Sequence, residues 1–107
     1  MKAWRALGWA LMAAGSAGAQ VTRDDVPMDE YLLVLERIAP AAREAAQAYL
    51  QAVQSKCGRP MRTLELRRRV AEGGGEPVLM AMIRAAHDQD TDALRSLSAR
   101  VPCGGKP

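Results

Sequence analysis

Cys57 and Cys103 are the only cysteines in the 107-residue chain, and most of its structure-forming sequence lies between them. A chain this short buries a modest core, and small domains commonly need a covalent staple. We expect one Cys57–Cys103 disulfide. It would close a loop of about 47 residues, which on the chain-entropy model stabilises the fold by roughly 4 kcal/mol. The C-x-x-C spacing of a redox pair is absent, so the bridge reads as structural.

A structural disulfide needs an oxidising compartment, and the first nineteen residues read as an address to one. Lys2 and Arg5 make a positive start, Ala6 to Ala14 is apolar, and Ala17-x-Ala19 is the small-residue pattern of a signal-peptidase site. The expected cut follows Ala19 and leaves Gln20 first. The apolar run is shorter than the ~20 residues that span a bilayer. The expectation is therefore a periplasmic or secreted protein without stable membrane insertion once the signal is gone.

Cleavage changes the chemistry of what remains. Removing nineteen of 107 residues leaves 88, enough for one domain. Trp4 and Trp9 depart, there is no Phe, and Tyr31 and Tyr49 are the only aromatics left. Losing Lys2 and Arg5 from 15 cations set against 12 acids lowers the formal charge from +3 to +1. Neither net charge nor aromatic stacking platforms then support nucleic-acid binding.

Residues 20–26 read as a flexible lead-in, 27–103 as a single helical domain and 104–107 as a frayed tail. Pro27 fits a first helical position, with Met28, Tyr31, Leu32, Leu35, Ile38 and Ala39 on one face and Leu33 on the polar side. Pro40 opens a second helix to about Lys56, with Ala42, Ala46, Tyr49, Leu50 and Val53 as its apolar stripe, Cys57 continuing it and Gly58 as the stop. Thr63 is a candidate cap for a third helix ending near Glu72, and Gly73-Gly74-Gly75 terminates it. Pro77 to His87 is the most apolar helix, through Val78, Leu79, Met82, Ile83 and Ala86, and is expected at the centre of the fold. A fifth helix starts at Asp90 or Thr91, with Leu94, Leu97 and Val101 as its seam and Pro102 as its stop. No segment alternates like a strand. The fold class is all-α: a small bundle of four to five short helices stapled by one disulfide.

Charge is segregated along this chain. Residues 56–69 hold Lys56, Arg59, Arg62, Arg67, Arg68 and Arg69 against the single acid Glu65, while residues 20–55 sum to −3 and residues 70–92 to −4. One reading is a solvated helix face, with Glu65 meeting Arg68 and Arg69 and Arg68 meeting Glu72 at helical neighbour distances. The other is a binding surface of Arg59, Arg62, Arg67, Arg68 and Arg69 for an acidic protein partner, phosphate or an anionic lipid headgroup. Arg67 stands out because it falls inside the apolar arc of Leu64, Leu66 and Val70, where its stem covers core and its head snorkels to water or reaches an internal acid.

Catalytic signals are sparse. His87, the only histidine, precedes Asp88 and would be a general base only beside a nucleophile or substrate that nothing in the sequence identifies. Met80, Arg84 and His87 share a side of the fourth helix, and a copper site with Met61 or Met28 would need ligands to converge from a distance. No zinc spacing, P-loop, nucleophile elbow or dinucleotide glycine pattern occurs. We therefore expect no enzyme, no cofactor and no metal. The functional expectation is a non-catalytic exported protein that binds another protein, as a chaperone, an inhibitor or immunity protein, or an assembly adaptor. The alternative is a helical bundle binding a small ligand or metal.

Overall fold

The computed structural model describes residues 26–103. The expected signal peptide, the lead-in before Val26 and the tail at 104–107 lie outside the described residues. Within them, regular structure is entirely helical: α1 (Met28–Ile38), α2 (Pro40–Cys57), α3 (Thr63–Ala71), a 3-10 turn (Glu72–Gly74), α4 (Pro77–His87) and α5 (Thr91–Ser98). The all-α bundle and its Cys57–Cys103 bridge are both present, the latter with an S–S distance of 2.00 Å and Cα atoms 5.5 Å apart.

Prolines set the boundaries at the start of the domain. Pro27 occupies the cap position rather than the first helical one, and its carbonyl accepts from the N–H groups of Glu30 and Tyr31 at 3.1 and 3.2 Å. Ala39 is extended, with φ −164° and ψ 131°, because a residue before proline is disfavoured in the helical region. The chain therefore turns sharply into α2. That turn corrects one expectation: Ile38 is 74% exposed, since it ends α1 on a flank that no other helix covers. Leu32 and Leu35 carry the burial of α1 instead.

The centre of the bundle is shared by α2 and α4, which form its main helix pair, α4 packing also on α3 and α5. α1, α4 and α5 all pack on α2, and its buried set is wider than a single stripe: Ala42, Ala45, Ala46, Tyr49, Ala52 and Val53. Alanine explains this. Small side chains let neighbouring helices approach closely across this one broad face, while Glu44, Gln47, Gln51 and Gln54 stay exposed on the other. α4 then lies against it through Leu79, Met82 and Ala86, as its apolar face implies. Gly58, at φ 74°, ends α2 in the left-handed conformation that glycine adopts without a Cβ penalty.

The turn between α3 and α4 calls for glycine through its backbone angles. Gly73, Gly74 and Gly75 have φ values of 59°, 81° and 99°, a run that residues with a Cβ resist. A Cβ on Gly75 would also lie 2.5 Å from Met80 Sδ. α4 begins with its N–H groups accounted for: Pro77 has none, and the Glu76 carboxylate accepts from Val78 and Leu79 at 2.9 and 3.2 Å. The Asp90 carboxylate caps α5 by accepting from the Ala93 N–H at 3.0 Å. Thr63 does not cap α3. It is the first helical residue, and the carboxylate of Glu65 accepts from the Arg62 N–H at 3.1 Å instead.

After α5 the chain leaves the helix and runs as a short strap, Val101–Cys103. Val101 was expected on the seam of α5, yet it is buried from this non-helical segment. The strap crosses back to the end of α2, where the disulfide closes it.

Candidate functional site

The cations of residues 56–69 divide into two groups. Lys56, Arg59 and Arg69 are consumed by the fold. Lys56 Nζ donates to the carbonyls of Ala99 and Val101 at 2.7 and 2.8 Å. Arg69 Nη1 donates to the Pro102 carbonyl at 3.1 Å, and Arg59 Nη2 to the Cys103 carbonyl at 3.3 Å. Three positive side chains thus hold the carbonyls of the strap and its approach, next to the disulfide. Charged donors on exposed or half-buried carbonyls form stronger bonds than neutral ones.

Arg69 does more than hold the strap. Its Nη1 also donates to Tyr49 Oη at 2.6 Å, and its guanidinium carbon lies 5.7 Å from the centre of the Tyr49 ring. Tyr49 Oη in turn donates to Glu76 Oε1 at 2.7 Å. Tyr49 has no exposed surface, so burial, with the bond to Glu76, pushes its phenol well above the ordinary tyrosine range. This chain of bonds links α2, α3, the start of α4 and the strap. The sequence offers two readings for Arg67, a head that snorkels to water or one that reaches an internal acid. Arg67 is exposed, with its head in water, and Arg69 on the other flank of α3 is the arginine that reaches inward, to the Tyr49 hydroxyl and only through it to Glu76. The available signal was Tyr49 itself: a tyrosine at the middle of a buried stripe needs a partner for its hydroxyl.

Glu65 also departs from expectation. It meets neither Arg68 nor Arg69 but takes Arg59, with both oxygens at 3.3 Å. The Arg59 guanidinium, followed by the Arg62 N–H, holds its carboxyl below the usual carboxylate value. Arg68 does approach Glu72 one turn on, at 4.0 Å between exposed groups, a separation worth little in water.

Arg62, Arg67 and Arg68 make up the second group. All three are exposed, and neither Arg62 nor Arg67 has a carboxylate partner among the described residues. Arg62 and Arg68 stand beside an open groove of about 750 Å³ where the start of α1 meets the start of α3. Val26, Met28, Met61 and Leu64 give it an apolar lining, and Arg59, Arg62 and Arg68 give it a cationic one. Glu65 is its one acid, already engaged by Arg59. An apolar side chain fits such a floor while a neighbouring carboxylate takes a charge-assisted bond from the rim.

The other candidates remain apart. His87 sits at the end of α4 with its side chain 78% exposed, 3.4 Å from Asp88 Oδ1, and open to water on the outside of the bundle. Met80 was expected on the outer side with it, but packs against the core beneath the Gly75 turn. Met80 and His87 are two helical turns apart, about 10 Å along the axis, too far for one ion. Met61 is buried in the core, Met28 packs against it, and Arg84 is exposed. Among the described residues no three of His, Cys, Asp and Glu are grouped to hold a metal, and no helix is long and apolar enough to cross a membrane.

No family model, curated protein or solved structure matches this chain.

Proposed function

We propose that this is an exported, non-catalytic helical protein, periplasmic or secreted, that binds an acidic segment of another protein in the groove between α1 and α3. The observation that carries this reading is the pair of exposed cations, Arg62 and Arg68, left beside an apolar floor of Met28, Met61 and Leu64 after the fold has used Lys56, Arg59 and Arg69. An acidic partner supplies the missing charge, and its apolar residues fill the floor. Holdase-like chaperones, inhibitors or immunity proteins and assembly adaptors all work by such capture. The disulfide supports the oxidising compartment, since such bridges persist outside the reducing cytosol.

The test is affinity capture from the extracytoplasmic extract of the host, comparing the native protein with Arg62→Glu/Arg68→Glu. Both side chains are exposed, so the variant should melt with the native protein. The expected outcome is an acidic partner retained by the native protein and lost by the variant. Identical partner sets, or no partner for either, overturn the reading.

A further inference from the structure

Val26 and Met28 bring the start of α1 into the groove beside α3, and Arg59, Arg62 and Arg68 line the same space. The chain leading up to Val26 reads Gln20-Val21-Thr22-Arg23-Asp24-Asp25. Bond geometry alone bounds the reach of its last residues. Successive Cα atoms are about 3.8 Å apart, so the Asp24 Cα is at most about 7.6 Å from that of Val26, and its carboxylate at most about 10 Å. Asp25 is nearer still. Two carboxylates therefore stay within about one Debye length of a residue in the lining at 0.1 M salt, whatever path the backbone takes. Arg23 brings the net charge of residues 20–25 to −1, but the acids are the two residues next to the groove.

The charge of the groove matches that pair. Arg59 is spent on Glu65 and the Cys103 carbonyl. Arg62 has no carboxylate partner among the described residues, and Arg68 meets Glu72 only at 4.0 Å, between exposed groups. Two exposed cations and two tethered acids thus share one rim, with a half-buried Val26 already in the lining. We propose that Asp24 and Asp25 dock on Arg62 and Arg68 while the groove is free of partner, which makes the chain's own lead-in a built-in competitor. A tether of one or two residues holds them at a local concentration that a free acidic segment must exceed. The same contact describes what displaces it: a segment with two adjacent acids followed by an aliphatic residue, in the order Asp24-Asp25-Val26. Exposed ion pairs are weak, so the lead-in turns away weakly acidic sequences without closing the groove to strongly acidic ones. The inference rests on the groove being an acid-binding site, but its readouts need no partner, so it fails separately from partner capture.

Nuclear Overhauser spectra of the isotopically labelled, oxidised protein test the contact. At low ionic strength the β-protons of Asp24 and Asp25 should show cross-peaks to the δ-protons of Arg62 and Arg68, and high salt should remove them. Calorimetry with poly-glutamate tests the competition. Asp24→Asn/Asp25→Asn should bind it about threefold or more tightly than the native chain, and that gain should vanish in an Arg62→Gln/Arg68→Gln background. Asp88→Asn/Asp92→Asn removes two exposed acids at the junction of α4 and α5, makes the same change in net charge, and should gain less. Absence of the cross-peaks, poly-glutamate binding unchanged by Asp24→Asn/Asp25→Asn, a gain that persists without Arg62 and Arg68, or an equal gain from the control pair each overturns the proposal.

Discussion

Tyr49 shows how one hydroxyl can organise a small bundle. Its ring fills the interior of α2, and its oxygen donates to Glu76 and accepts from Arg69. Removing that oxygen leaves the Arg69 donor and the Glu76 acceptor facing a half-buried gap. Tyr49→Phe should therefore destabilise the protein by about 1–3 kcal/mol, read from urea unfolding, although the ring volume is unchanged. An unaltered midpoint would mean that water replaces the hydroxyl at no cost. The same residue marks the limit of reading side chains from sequence. A helical wheel places Tyr49 inside and correctly makes Leu66 core. It ranks arginines only by their angle to the apolar arc, which selects Arg67. What selects Arg69 is a tyrosine 20 positions earlier and an acid seven positions later, and that meeting is created by the packing of three helices.

Among the elements, the helices were largely legible and the strap was not. Prolines at the heads of α2 and α4, glycines after α2 and α3, and apolar spacing in α4 are local signals, and each gives its boundary within a residue or two. The share of α2 in the centre was obscured because alanine contributes little to an apolar stripe while permitting close approach. The strap has no periodicity to read. It is held by a buried Val101, by three cations on its carbonyls and approach, and by Cys103. These holds differ in kind. The bridge acts on the unfolded chain by shortening it, whereas the cations act only in the folded state. Reduction should therefore lower the unfolding free energy by about 4 kcal/mol while leaving the helices formed. Urea titrations of oxidised and reduced protein measure the first, and far-ultraviolet circular dichroism the second. Equal midpoints in the two titrations would contradict the chain-entropy account.

For the molecule as a whole, both tyrosines couple stability to alkaline pH in the same direction. Burial raises the phenols of Tyr31 and Tyr49 above the ordinary value of 10.0, against a lowering contribution from arginine in each case. A raised acid favours the protonated, folded form. Its contribution is complete below pH 10, where the unfolded phenols are also protonated, and is lost as pH rises through the native values. The protein should unfold in strong base, with tyrosinate absorbance and loss of helix appearing together for Tyr49. Ionisation of Tyr49 in a chain that keeps its helical signal would show that its pocket opens without unfolding. The whole-molecule charge pattern was legible from sequence as a basic segment between acidic ones. Its meaning was not, because half of those cations turned out to be fasteners.

The strap has a further consequence for the order in which the domain comes into being. Lys56, Cys57, Arg59 and Arg69 all precede it in the chain, so each of its anchors is synthesised before the carbonyls and the thiol it will hold. The helices can collapse as they emerge, but the fasteners wait until residues 99–103 arrive. A growing chain that has reached only α4 is thus helical and positively charged at the same time. Three cations later bonded to the strap are then open to any acidic surface within reach, and the arrival of five residues engages them.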